Sequence, residues 1–547
     1  MDDKEIRSAI ASGEIPRSVH ETLERSASKF PNNNLIIFND FAFTYGQIDA
    51  LASRFANALI RIGLRNGDRV VCYMSSCPQF AIAYYGTLRA GGVLVPIDHR
   101  YREVELRNQI SDSEASIVVT LDSLFEKFKN VIEEAGAKKI ILTKMDELET
   151  FQEQSYANPK IDAEEENQKA TTIIRLIELI AKNSSVKDSV KVNPFTHLAA
   201  MPYTTGTTGP SKGVMLTHFN LLSSQYQFNH ALQNKIAKET ALVIFPFSHI
   251  GGLNAALGTL VHSSNTIIAF EKFDPTIVFD AVSKYRPTLF YGVPSAYISL
   301  LSNEEKLSKA DFSCIRIALS SSSPLPPEVK LRFMDKTGVG ITDTWGMTES
   351  SPVLTCSPPS MAKKANVIGF PVVETEVKVI DIQDESKEMP VNEMGELVAR
   401  GPQVMLGYWK KKEATLQTLR GGWLHTGDIG FKDADGAFYY MERKKDIINV
   451  GGLKVWPAEV EAVLYECPSV AEAIVGAESS ERYGENVRAW VVLKPGYDQK
   501  EQDKILKDYC STKLARYKTP NTINFVKEIP KSHVGKPLRR AIRESRL

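Results

Sequence analysis

Short apolar runs alternate with amphipathic helical stretches through most of this chain, and that alternation limits its fold more than any other feature. Strand-like runs lie at Val70–Tyr73, Ser116–Thr120, Lys139–Leu142, Leu242–Phe245, Thr266–Phe270 and Ile315–Leu319; helical patterns lie at Tyr45–Ile62 and Pro78–Ala90. Uninterrupted apolar strands separated by helices predict parallel sheets buried on both faces. The pattern changes after about Gly369. Glu376–Asp381, Glu396–Arg400 and Ala437–Glu442 read as half-buried antiparallel strands, the last entered through an Asp435-Gly436 turn.

A charged stretch at Glu442–Lys445 precedes a segment that looks self-contained. Pro457–Leu464 reads as a helix with Pro near its start, Val470–Val475 and Val487–Leu493 as strands, and Gln502–Leu514 as a second helix. With 547 residues the chain is too long for one core. The expected fold is α/β, with a large N-terminal domain of parallel-rich, helix-covered sheets and a small antiparallel β subdomain over residues 1–442. A hinge at 443–446 and a small mobile α+β C-terminal domain over 447–547 follow. Met145–Ser189 stands apart: it is acid-rich, with Glu164-Glu165-Glu166, and then reads as a surface excursion whose amphipathic helix, presenting Ile173, Ile177 and Ile180, docks on the core; its acidic approach and few basic residues disfavour a membrane-surface helix.

Lys plus Arg and Asp plus Glu both total 66, so no global field recruits nucleic acid or an anionic membrane. No run of about 18 apolar residues is present to cross a bilayer, and no signal-like stretch opens the sequence; peripheral membrane contact stays open. The six cysteines are scattered without metal-ligand spacing, which suits a reducing compartment. A cytoplasmic protein is expected.

The strongest local signal is Tyr203-Thr204-Thr205-Gly206-Thr207-Thr208-Gly209-Pro210-Ser211-Lys212-Gly213. Glycines let backbone approach an anion, hydroxyls donate hydrogen bonds and a lysine adds charge, which together suit a polyphosphate. A Walker loop needs a second glycine where Ser211 stands, a hydroxyl residue where Gly213 stands, and a helix where Val214-Met215-Leu216 reads as a strand. That rival fails.

The loop instead resembles the phosphate signature of the AMP-forming acyl-adenylate superfamily, which includes acyl-CoA synthetases, luciferases and adenylation domains. Further motifs follow in that family's order. Asp343-Thr344-Trp345-Gly346-Met347-Thr348-Glu349 resembles its Tyr-Gly-Met-Thr-Glu element, with Trp in place of Tyr. The resemblance implies that Trp345 flanks adenine beside Thr344 and Gly346, that Thr348 meets phosphate and that Glu349 holds Mg²⁺. The stacking face survives the Tyr-to-Trp change, but a phenolic hydrogen bond does not. Leu319-Ser320-Ser321-Ser322-Ser323-Pro324 stands where the family has a Ser-Gly-Gly/Ala-Ala-Pro turn, and Ser323 and Pro324 would touch the nucleotide.

Trp423-Leu424-His425-Thr426-Gly427-Asp428 resembles the motif whose Asp chelates the ribose hydroxyls, here Asp428; a carboxylate accepting two vicinal O–H bonds makes a sound clamp. Arg443 would approach the ribose and Lys445 act as hinge. Ile529-Pro530-Lys531-Ser532-His533-Val534-Gly535-Lys536 is similar to the element whose lysine, Lys536, offsets charge as carboxylate attacks the α-phosphate. Val450-Gly451-Gly452-Leu453-Lys454-Val455 resembles the loop lining the pantetheine tunnel, so Gly451 and Gly452 would meet coenzyme A. Phe245-Pro246-Phe247-Ser248-His249-Ile250-Gly251-Gly252 resembles the segment between nucleotide and acyl pockets. His249 would sit beside the reacting carboxylate, and Gly251, Gly252 and Gly346 would leave room for a long acyl group.

The resemblance therefore implies an acid:CoA ligase using ATP, Mg²⁺ and coenzyme A on a carboxylic acid, with a medium- or long-chain fatty acid first. The alternatives are an aryl-acid:CoA ligase, a fatty acyl-AMP ligase loading a carrier protein, and a non-catalytic sensor of AMP or acyl-CoA.

Overall fold

The computed structural model describes residues 4–151, 171–185, 190–204, 211–364 and 366–530. Three sheets organise them. One has a parallel core formed by Arg69–Tyr73, Val93–Ile97, Ile117–Leu121, Lys139–Thr143 and Thr172–Arg175, with Leu198–Ala200 beside Val93–Ile97. Alternate residues of its central strand serve different cores. Val70 and Cys72 pack with the helices Tyr45–Arg61 and Pro78–Arg89, whereas Val71 and Tyr73 pack with Leu106, Ile110, Phe125 and Ile132 from the opposite face. That division is why an apolar residue stands at each position.

The largest sheet changes character along its width. Parallel strands Asn34–Phe38, Thr266–Ala269, Thr240–Val243, Leu289–Gly292, Ile317–Ser320 and Ile341–Gly346 form one half. From Ile341–Gly346 onward every pairing is antiparallel, through Val353–Cys356, Val367–Pro371, Phe438–Arg443, Leu424–Lys432, Gly395–Arg400 and Glu376–Ile380. The antiparallel part closes on Trp345, Leu354, Ile368, Val377, Leu397 and Phe438. The serine turn and the Trp345 motif thus leave the C-terminal ends of adjacent parallel strands, the usual place for a ligand in an open α/β sheet.

Residues after Ile448 bury a core of their own, with Val460, Leu464, Val475, Val487, Val491 and Leu506. The hairpin Val470–Ser480 with Gly484–Leu493 is longer than the sequence pattern suggested. Its outer residues are polar and half-exposed, so hydropathy marks only its apolar portion.

The Met145–Ser189 expectation needs correction. Thr172–Arg175 is a strand paired parallel to Lys139–Thr143, and the helix that follows, Leu176–Ala181, has six residues. Ile173 is exposed on the strand, not on the helix; the docking of the helix on the main core, through Leu176 and Ile180, is as expected. A four-residue edge strand running into a short helix mimics helical spacing. The strand expected at Leu242–Phe245 ends at Val243, because the apolar residues beyond it belong to the loop that carries His249.

Candidate active site

The phosphate-type loop is pinched at its base. Tyr203 and Gly213 form an antiparallel bridge, and the Thr204 N–H donates to the Lys212 carbonyl at 3.0 Å. Strand Val214–Thr217 leaves it as expected. Thr205, Gly206, Thr207, Thr208 and Gly209 lie outside the described residues. Outside them too is Lys536.

Lys212 does not point into empty solvent. Its Nζ sits 4.1 Å from the centre of the Tyr408 ring, a cation–π distance. The same phenol donates to Glu349 Oε1 at 2.5 Å. Glu349 is 5% exposed in a short 3₁₀ turn, and its own carbonyl accepts from Met405 N–H at 2.8 Å. Burial first, and then the Glu349 carboxylate, raise the phenol's pKa well above its ordinary value. Tyr408 therefore stays a proton donor and joins the phosphate-loop lysine to the carboxylate expected to hold metal. Sequence reading missed it. Gly407-Tyr408-Trp409 looks like apolar filler, and only its pairing across Val214 and Met215 brings it here.

Thr348 is half-buried and lines a cavity of about 40 Å³ with His249, Asp98, Ser248, Tyr203 and Gln109. The Gly251 N–H donates to His249 Nδ1 at 3.1 Å, so a neutral His249 carries its proton on Nε2. Asp98, 4% exposed, accepts from Arg100 at 2.7 and 2.8 Å and from Ser248 at 3.4 Å. Asp98 is a second residue that sequence reading did not single out. Gly251–Gly258 is a buried π-helix, an uncommon winding often found at functional sites. Asn254 anchors it by donating to the Ser351 carbonyl at 2.6 Å.

The glycines of the acyl segment do something other than leave room. A Cβ on Gly252 would lie 1.9 Å from the Pro246 carbonyl oxygen, and one on Gly346 would lie 1.8 Å from that of Pro352. Backbone already fills both spaces, so these residues permit close chain packing. At Gly251 the nearest atom would be His249 Nδ1 at 3.2 Å, which is also tight. The expectation of open volume for the acyl group is corrected at Gly252 and Gly346, where backbone takes the space; at Gly251 the neighbour is a side chain.

On the nucleoside side, the four serines hold the turn the family builds with glycine. Ser322 adopts φ +77°, the left-handed region. Ser323 is half-buried, Pro324 is exposed, and Ser321 Oγ donates to the Thr344 carbonyl at 3.5 Å. Trp345 is 7% exposed, and its indole N–H donates to Asp428 Oδ2 at 2.8 Å. The other oxygen of Asp428 meets Arg443 Nε at 2.7 Å. Loss of the tyrosine hydroxyl thus comes with a new hydrogen bond, which the sequence did not announce.

Lys445 lies in the 3₁₀ turn Lys444–Asp446, between Arg443 and strand Ile448–Val450. Its neighbour Lys444 pairs with the buried Glu396 at 2.9 Å. Glu385, Glu396 and His425 approach one another within 4.8 Å. Glu385 is already bound by Arg420 and Glu396 by Lys444, so the group is a charge brace beside the turn. Gly451 and Gly452, with φ of +59° and +91°, form an exposed two-residue hairpin turn of the kind that needs both residues left-handed.

The AMP-binding enzyme family profile matches residues 23–409, and that of the AMP-binding enzyme C-terminal domain matches residues 459–536. A long-chain-fatty-acid–CoA ligase of Bacillus subtilis (strain 168) is 36% identical over 532 residues, covering 96% of this chain and 94% of its own. One from Escherichia coli O6:H1 is 31% identical over 550 residues, with the same coverages of 96% and 94%. Among solved structures, ATP-bound MatB from Rhodopseudomonas palustris is 27% identical with a TM-score of 0.84, covering 96% of this chain and 99% of its own. The chain belongs to the AMP-binding enzyme family, among its AMP-forming acyl-CoA ligases.

Proposed function

We propose that the chain joins a medium- or long-chain fatty acid to coenzyme A in two displacements. A carboxylate oxygen attacks the α-phosphorus of ATP and pyrophosphate leaves, giving the acyl-adenylate. The thiol of coenzyme A, losing its proton, then attacks the acyl carbonyl and AMP leaves. Fatty acid as substrate is supported by the names of the relatives at 36% and 31% identity.

In this reading Thr204, Lys212 and the loop between them cradle the phosphates. Ser323, Pro324, Thr344 and Gly346 border the base, and Asp428 and Arg443 take the ribose. Glu349 is the donor for Mg²⁺ and the Thr348 hydroxyl meets phosphate; a buried carboxylate fits a hard cation. Mg²⁺, when bound, neutralises phosphate oxygens. His249 is placed at the carboxylate, Lys536 at the charge developing on the α-phosphate, Lys445 at the pivot, and Gly451 and Gly452 at the pantetheine arm. The domain division is 1–442, 443–446 and 447–547, supported by the separate core after Ile448. A cytoplasmic setting completes the proposal, supported by six reduced thiols. Among the described residues no helix is long and apolar enough to cross a membrane.

The observation that carries the reading is the sharing of Tyr408 by Lys212, at 4.1 Å, and Glu349, at 2.5 Å; it supports a phosphate ligand and a metal ligand working side by side. The test supplies ATP with fatty and aryl acids, with and without coenzyme A, and measures AMP and thioester. Fatty acids should give AMP and acyl-CoA in equal amounts. AMP formation indifferent to coenzyme A would point to carrier loading, and a preference for aryl acids would replace the substrate class.

A further inference from the structure

We infer that Trp345 is a positioning residue for the carboxylate of Asp428, fixing the rotation at which that carboxylate meets the ribose hydroxyls. The inference deepens the reading of Asp428 given above and rests on it. Asp428 sits within strand Leu424–Lys432, opposite Leu397 on one side and Arg443 on the other, with its side chain 3% exposed. An aspartate carboxylate has a broad, weakly preferred final torsion, so burial alone does not orient it. Two groups do: Trp345 Nε1 donates to Oδ2 at 2.8 Å, and the Arg443 guanidinium forms an ion pair with Oδ1, its Nε 2.7 Å away but without hydrogen-bond alignment. A carboxylate offers about four acceptor sites. The remaining ones stay available to two vicinal hydroxyls, in directions set by the first pair.

The two partners are not equally fixed. Arg443 ends its strand directly before the turn that contains Lys445, so it stands where the chain would pivot. Trp345 is held in the antiparallel core among Leu354, Ile368, Val377 and Leu397, with its strand paired to Val353–Cys356. The indole is thus the immobile partner, and it holds Asp428 in place whatever Arg443 does during turnover. A phenyl ring in this position would fill the core but give Oδ2 no donor.

The experiment compares ATP with 2′,3′-dideoxy-ATP, which lacks both hydroxyls, as substrates for four proteins. These are the unaltered enzyme, Asp428→Asn, Trp345→Phe, and enzyme carrying 3-benzothienylalanine at position 345. The last replaces the indole N–H by sulfur at nearly unchanged volume, so it decides the matter if Trp345→Phe folds poorly. Removing the donor should raise the KM for ATP about tenfold, in line with a hydrogen bond to a charged group. The KM for the dideoxy nucleotide and for the acid should move little, so discrimination between nucleotides narrows. If Asp428→Asn abolishes discrimination while both changes at 345 preserve it, the positioning role is wrong and the ribose assignment stands. If Asp428→Asn itself preserves discrimination, the ribose assignment falls and the positioning role falls with it.

Discussion

Replacing Gly346 by alanine adds one methyl group at a point where the backbone leaves it no space. Its Cβ would lie 1.8 Å from the Pro352 carbonyl oxygen, 2.8 Å from the carbonyl carbon and 3.1 Å from the Leu354 nitrogen. Real Cβ contacts essentially never fall below 3.0 Å, so one strand must retreat by more than 1 Å. The carbonyl cannot retreat freely, because it accepts from Met347 N–H at 2.9 Å and from Ser350 Oγ at 2.7 Å. Overpacking together with two weakened hydrogen bonds gives a loss of about 3–5 kcal/mol. In thermal unfolding that corresponds to a midpoint lower by roughly 3–5 °C for a unit of this size. The turn carrying Thr348 and Glu349 moves with the strand, so the KM for ATP should rise as well. Gly252→Ala, with its Cβ 1.9 Å from the Pro246 carbonyl oxygen, should behave likewise in stability. The reasoning is refuted if Gly346→Ala melts within a degree of the unaltered protein and merely shifts preference toward shorter acids. That result would mean the glycine does open acyl volume.

Ser322→Gly should stabilise the protein by roughly 0.5–1 kcal/mol, because relief of left-handed strain exceeds the added chain entropy of glycine; a lower urea midpoint would contradict this. Tyr408→Phe keeps the ring beneath Lys212 but leaves the buried Glu349 without that donor. It should cost about 1.5–3 kcal/mol in the nucleotide-free protein. MgATP should shrink that deficit and the Mg²⁺ requirement should rise; an unchanged Mg²⁺ dependence would remove Glu349 from the metal.

What was legible in the sequence follows from how locally each feature is encoded. Strands buried on both faces, such as Arg69–Tyr73 and Lys139–Thr143, announce themselves because their inner positions, residues 70–73 and 140–142, form an unbroken apolar run. Helix Tyr45–Arg61 begins at a Thr44–Gln47 capping box, a purely local signal. Thr172–Arg175 was misread because an edge strand followed at once by a helix carries the spacing of one longer helix. At the site, motif residues from distant stretches could be named in advance, but their partners could not. Tyr408 reaches Glu349 only through strand pairing with Val214–Thr217, and no local pattern encodes that contact. Sequence also showed that Ser322 departs from glycine without showing that its backbone keeps a glycine-like angle. The role of Gly252 and Gly346 was inverted for a related reason. A missing side chain reads as free volume until the neighbouring carbonyl is seen to occupy it.

The chemistry at the centre of the account leaves a trace in one atom. A fatty acid labelled with ¹⁸O in its carboxyl group, turned over with ATP and coenzyme A, should deliver one labelled oxygen to AMP and none to pyrophosphate. Label recovered in inorganic phosphate alongside ADP, or AMP formed free of label, would contradict an acyl-adenylate intermediate.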